Sequence, residues 1–228
     1  MKNFLFSTYS LFFVLAFSVG ACATPSTQIW NPSTDIQTNG VWHLGIDNYF
    51  TVKAPSEGGY AFPTDTGLTY GLLPGLEVGI DAFLPQREPF NFNAKYGIVE
   101  TEALPAFAIG GFGFGTEKDV TDQNVLYAVI AKTFAIGRIT AGWFSGNGRI
   151  LVDAEGKEDP SGLILTWDKA LTDKLWACAD YAGSKSLLGS FFYGFSWAFA
   201  SNVSVIFGYG TYNNGADPTV STQLDINI

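Results

Sequence analysis

The sequence predicts an all-β chain: a transmembrane up-and-down antiparallel β-barrel of about twelve strands behind an N-terminal signal peptide. Three observations carry this expectation. From residue 41 onward, apolar and polar residues alternate with a period of two in segment after segment. The chain has 26 Gly, 20 Phe, 10 Tyr and 6 Trp and few charges, yet beyond residue 23 no apolar run nears the length of a membrane-spanning helix. The connectors between segments are mostly short and long by turns, the pattern of barrels with tight turns at one membrane face and long loops at the other.

The N-terminus sets the compartment. Lys2 precedes a largely apolar stretch over residues 4–19, and "ACA" at 21–23 has the small-x-small form of a signal-peptidase site, so residues 1–23 read as a secretory signal. "VGAC", ending at Cys22, also resembles a weak lipoprotein box. Cleavage after Ala23 leaves Cys178 without a partner, which excludes a disulfide-stapled fold. The signal removes one of the 12 bases and none of the 21 acids, so the mature charge is 11 minus 21, or −10, and nucleic-acid binding is not expected. Residues 24–40, including "TPSTQIWNPSTDIQTN", form a periplasmic linker or a plug tucked into the lumen, and 41–228 form the barrel.

Along the chain, "VWHLGIDNYFTV" (41–52) sets Trp42, Leu44, Ile46, Phe50 and Val52 against His43, Gly45, Asp47, Tyr49 and Thr51. "TGLTYGLL" (66–73) follows, then "LEVGIDAFL" (76–84), with Glu77 and Asp81 opposite an apolar face containing Ile80. "NFNAKYGIV" (91–99) alternates Phe92, Ala94, Tyr96 and Ile98 with Asn93, Lys95 and Gly97. In "AFAIGGFGFG" (106–115) the aromatic phase slips, and a bulge is expected at Gly110-Gly111. This glycine run lacks the G-x-G-x-x-G spacing of a dinucleotide loop, and no helical pattern follows it. The remaining strands are "VLYAVIAKTF" (125–134), "RITAGWFSG" (138–146), "GLILTWDKA" (162–170), "KLWACADYAG" (174–183), "GSFFYGFSWAFA" (189–200), "VSVIFGYGTY" (203–212) and "TVSTQLDINI" (219–228).

The apolar faces have no complementary helix to cover them, so they are expected to meet lipid while the carboxylate-bearing faces meet a watery lumen. Trp42, Phe50, Trp197, Tyr209 and Tyr212, near strand ends, are expected at the membrane interfaces. An even strand count places both termini on the same, periplasmic side.

With these segments laid out, the chain resembles bacterial outer-membrane β-barrels of porin-like type over roughly residues 40 to 228. The C-terminal strand, in which Val220, Leu224, Ile226 and Ile228 alternate to the last residue, carries part of that resemblance. The resemblance implies a Gram-negative outer membrane with its lipid and lipopolysaccharide as partners, and recognition of the last strand by the barrel-insertion machinery. Ile228 departs from the Phe or Trp with which that family usually ends.

On this reading the lumen face carries His43, Asp47, Glu77, Asp81, Asp168, Asp180 and Asp225, with Lys95 and Lys132 as its bases. Carboxylate-lined bores favour cations, and the same groups equally serve as solvated or paired wall residues, Asp81 with Lys95 for instance. His43 and Asp47 share a face, as a base and its orienting acid would in a barrel lipase, but no GxSxG elbow occurs and no enzyme is expected. No cofactor or metal site is expected: Cys178 lacks a second ligand, and "RILVDAEGKEDP" (149–160) misses the calcium-loop pattern. The expected function is a passive, mildly cation-preferring channel for small solutes or ions. The alternative is a barrel whose filled lumen serves a structural or surface-binding role, with Phe83, Trp176, Phe192 and the N-terminal segment as the groups that would fill it.

Overall fold

The computed structural model describes residues 26–228; the signal peptide, its cleavage site and Cys22 lie outside the described residues. Twelve strands follow one another: β1 (Trp42–Thr51), β2 (Thr64–Leu73), β3 (Leu76–Leu84), β4 (Phe90–Ile98), β5 (Ala106–Gly115) and β6 (Val125–Phe134) form the first half. β7 (Gly137–Ser145), β8 (Ser161–Ala170), β9 (Leu175–Ala182), β10 (Ser190–Ala200), β11 (Val203–Tyr212) and β12 (Thr219–Asn227) form the second. Each strand pairs antiparallel with the next, and β12 pairs with β1 to close the barrel. Closure leaves no free edge, so the ladders satisfy the strand backbones internally, which a lipid environment demands.

Closure is completed at the chain's end, where Ile228 and Trp42 exchange backbone hydrogen bonds of 2.8 and 3.1 Å. Both ends of the barrel chain therefore meet at the rim of tight turns, where residues 74–75, 135–136, 171–174 and 201–202 connect strands. The opposite rim carries the longer connectors, among them 52–63, 116–124 and 146–160.

Alternation decides which side chains face out. Phe191, Tyr193, Phe195, Trp197 and Phe199 of β10 are exposed, whereas Ser190, Phe192 and Ser196 are buried. Outward rings pair across strands, Tyr193 with Tyr209 at 5.6 Å and Phe195 with Phe207 at 5.5 Å between centroids. Tyr212 departs from its expected interface position: it points inward, is buried and bonds Thr219 Oγ1 at 2.8 Å. Parity overrides the aromatic-belt preference here, because Tyr212 shares the inward row of Ser204, Ile206 and Gly210.

The bulge in β5 also lies further along than expected. Ala94 opposes Gly111 while Phe92 opposes Phe114, so the extra residue falls at Phe112-Gly113, where Gly113 adopts φ +67°. Phe112 consequently turns inward against Tyr127, their rings 6.1 Å apart. Positive φ costs glycine nothing, so the slip sits where a glycine can take it.

The interior is not uniformly watery. On the β6–β9 side, Val125, Val129, Phe144 and Ile164 pack with Leu188 and with Leu151, which the 146–160 loop folds into the mouth. On the β9–β12 side, Trp176, Phe192, Ile206 and Tyr212 pack around Ile29. An open, carboxylate-lined interior remains along β1–β4.

Candidate functional site: the lumen

Residues 26–37 run inside the barrel, and 38–40 emerge beside Gly71 at the turn rim. Thr27 and Pro32 form an antiparallel bridge, and Gln28 N–H donates to Asn31 O at 2.7 Å, making a tight hairpin whose tip is residues 28–31. That tip is held by Asp180, which accepts the backbone N–H groups of Ile29 (3.2 Å), Trp30 (2.8 Å) and Asn31 (2.9 Å) and the Asn31 side-chain amide. Asp180 thereby satisfies donors that a tight turn would otherwise leave buried and unpaired. Trp30 stacks on Phe192 at 5.1 Å, and its indole N–H donates to Leu188 O at 3.0 Å. Across the bore, Gln223 Nε2 donates to Ile29 O at 2.8 Å.

Further anchors span the tight-turn end. Arg138 of β7 donates to Asp35 Oδ1 at 2.6 Å and to Asp168 Oδ1 at 3.0 Å, while Gln28 and Trp176 also donate to Asp168. Gln37 N–H donates to Glu77 on β3, and its side-chain amide donates to Asn227 Oδ1 at the end of β12 at 3.1 Å. Contacts to β7, β3 and β12 within three residues bridge the bore from wall to wall.

The expected lumen residues therefore have distinct surroundings. Glu77 pairs with Lys95 at 3.3 Å, both side chains 2% exposed, and Lys95 Nζ also donates to Ser26 O at 2.9 Å. Lys95 does not pair with Asp81, because the β3–β4 register sets Glu77 opposite Lys95 and Asp81 opposite Asn91. Asp81 instead accepts from Asn93 Nδ2 at 2.7 Å. His43 lies 3.4 Å from Asp225 and 3.2 Å from Asn227 Oδ1, not beside Asp47. Four residues along a strand span about 13 Å, so the base–acid spacing that suits a helix separates these two.

Lys132 does not face the lumen as expected. It belongs to the outward row of β6 with Leu126 and Ile130, at the turn, where it pairs with Glu100 at 3.0 Å and donates to Thr101 O. At a membrane rim a lysine satisfies its charge in this way even on the apolar face. Glu100 also accepts from Thr133 N–H and Thr133 Oγ1. Partial burial pushes its carboxyl up, but the Thr133 and Lys132 hydrogen bonds outweigh this and hold it below its ordinary value.

Sequence reasoning missed Asp35, Asp65 and Arg138. Arg138 was legible from parity, since Trp143 faces out and Arg138 lies an odd number of residues before it. Asp65 falls in the two residues by which β2 begins before its expected start. Asp35 lies in a segment with no alternation to read.

Between the hairpin and a wall drawn chiefly from β1–β5 lies a cavity of about 570 Å³, which runs from His43, Glu77 and Lys95 on the turn side to the long-loop rim. Asp47, Asp65 and Asp81 line it, together with Asn91 and Asn93, and no basic group among the described residues is within ion-pair distance of those three carboxylates. Asp47 and Asp65 are directly opposite across β1 and β2, and Asp81 faces Gly67 across β2 and β3. A Cβ on Gly67 would come within 2.7 Å of Asp81 Oδ1, so glycine there makes room for the carboxylate.

A closed, antiparallel membrane barrel with a partly filled acidic lumen is the class that fold and interior define. No protein-family model and no curated protein sequence matches the chain. Among solved structures, the chain superposes on the KdgM porin with a TM-score of 0.54 at 7% identity, over 81% of this chain and 97% of that one. Two weaker likenesses are to Salmonella typhi OmpF in complex with daunomycin (TM-score 0.43, 10% identity, 82% and 96% coverage) and to a loop-deleted OmpT, an outer membrane protein of Vibrio cholerae (0.38, 12%, 84% and 99%). The fold is that of the porin-like outer-membrane barrels, without an identified subfamily.

Proposed function

We propose that the protein is a passive outer-membrane channel that favours small cations and is plugged from within by its own residues 26–37. The observation that carries this reading is the set of three carboxylates without a cationic partner among the described residues, Asp47, Asp65 and Asp81, lining a cavity open at the long-loop end. A negative, partly dehydrated bore concentrates cations and repels anions, more so at low salt where screening is weak. Short turns and both barrel ends share one rim, which supports periplasmic termini and an extracellular cavity mouth. Insertion through the C-terminal strand and contact with lipopolysaccharide at the loops belong to the same reading.

Bridging of the bore by Asp35 and Gln37 means that through-flow requires the segment to shift. Planar-bilayer recording tests this. The intact mature protein is expected to conduct weakly or intermittently. Asp180→Ala combined with Asp35→Ala, which removes two anchors, is expected to raise open time and to give reversal potentials favouring cations. An anion-selective pore refutes the lumen reading. Silence of both proteins favours the second reading, a filled structural or surface-binding barrel, for which the apolar packing around Leu151 and Phe144 speaks.

A further inference from the structure

Three features of the loop-side cavity point to a ligand more specific than a mobile ion. First, its size, about 570 Å³, suits a small organic molecule rather than a single hydrated ion. Secondly, its lining is two-sided. Asp47, Asp65, Asp81 and Asn93 make one polar wall, and Tyr49, Phe62, Phe83, Phe112 and Tyr127 supply aromatic surface around it. Thirdly, the polar wall is incomplete. Asp65 Oδ1 is buried and has no hydrogen-bond partner, and Asp65 stands directly opposite Asp47 with no basic side chain between them. Like charges facing each other across an antiparallel pair destabilise it, and a buried acceptor without a donor costs as much as a lost hydrogen bond. A cation in the cavity relieves the opposition of the two carboxylates.

No group of three His, Cys, Asp or Glu among the described residues converges tightly enough to hold a metal ion. An anion would meet three carboxylates, since Lys95, the lysine in the lining, is already paired with Glu77, and a neutral apolar molecule would leave the facing carboxylates without a counter-charge. A cation with an apolar body suits this part of the lining: its charged N–H groups face Asp47, Asp65 and Asp81, and its body lies against aromatic faces that attract positive charge.

We infer that this cavity binds a small organic cation, a protonated amine carried on an aromatic or aliphatic body. The inference rests on the proposed cation-favouring lumen and names the class of solute that lumen would hold. It requires no through-flow, so it can be tested separately from conduction.

The test is calorimetric titration of the folded mature protein in zwitterionic detergent with benzylammonium, benzyl alcohol and benzoate, three probes of similar shape and different charge. Benzylammonium is expected to bind saturably, close to one per barrel, with benzyl alcohol at least about tenfold weaker and benzoate weaker still. Asp65→Asn is expected to weaken benzylammonium by about tenfold or more, and Asp173→Asn, at the distant turn rim, to leave it unchanged. Heat-dependent gel migration reports whether each variant folds, and Asp47→Asn stands in if Asp65→Asn does not. Equal binding of the alcohol, indifference to the folded Asp variant, or no saturable amine binding overturns the inference. Loss of cation preference in bilayers with amine binding intact would strike the channel reading alone.

Discussion

Lys95 and Glu77 face each other in the bore with almost no exposure, and Lys95 additionally holds Ser26 O. Removing one partner of such a pair leaves the other charged and buried, so Lys95→Met is expected to cost roughly 3–5 kcal/mol, with part recovered in the Glu77→Gln, Lys95→Met double variant. Urea unfolding in lipid vesicles measures both, and an unchanged single variant would show the pair to be water-exposed. The outward row gives a second contrast. Ile80 lies mid-strand beside Val78 and Ala82, so Ile80→Arg is expected to cost about 2–4 kcal/mol, while Asp81→Asn, one residue along, should cost far less. At the turn rim, Glu100 supplies a pH signature. Its folded pKa lies below the ordinary value of 4.5, so its stabilising contribution is present above that value and lost as pH falls through the lower folded one. Glu100→Gln is expected to flatten acid unfolding in that window, and an unchanged profile would remove Glu100 from the account.

At the scale of elements, the strands were legible because the period of two is written into most of them, and β3, β5, β6 and β11 have the bounds that alternation marks. What alternation does not encode is register. The pairing of Glu77 with Lys95 directly opposite it, and of His43 with Asp225 on the diagonal, depends on which residues of neighbouring strands come level, which turn length and bulges set. Residues 26–40 were ambiguous for a different reason. They have no periodicity, and their conformation is imposed by partners at great sequence distance, Asp180 and Gln223 above all. The hairpin tip therefore depends on Asp180 in a testable way. Asp180→Ala strips the acceptor from three backbone N–H groups, each costing about 1–3 kcal/mol if left buried and unpaired. Faster amide exchange at residues 29–31 and readier proteolysis of the N-terminal segment are expected while the barrel stays folded. Protection as in the unmodified protein would mean that Trp30 and Gln223 hold the tip without it.

The whole molecule sets an outer surface that favours lipid against an interior divided between packing and charge. β6–β12 supply most of the apolar contacts and the acceptors that seat the N-terminal segment, and β1–β5 keep the open, acidic cavity. This asymmetry makes the segment, rather than the barrel wall, the part whose position decides whether the bore is continuous. Cys178 offers a way to test that decision, since its Sγ lies 3.8 Å from Gln28 Oε1 and it is the free cysteine among the described residues. Gln28→Cys would put a second thiol near the first, within reach of a thiol-bridging bimane reagent that fluoresces on linking both. Bridging is expected in the folded barrel, and the bridged protein should stay closed in bilayers even when Asp35→Ala loosens the tight-turn anchor. Conduction by a fully bridged protein would show that solutes pass beside the seated segment through the β1–β5 side, and the plug would then be a wall of the channel rather than its gate.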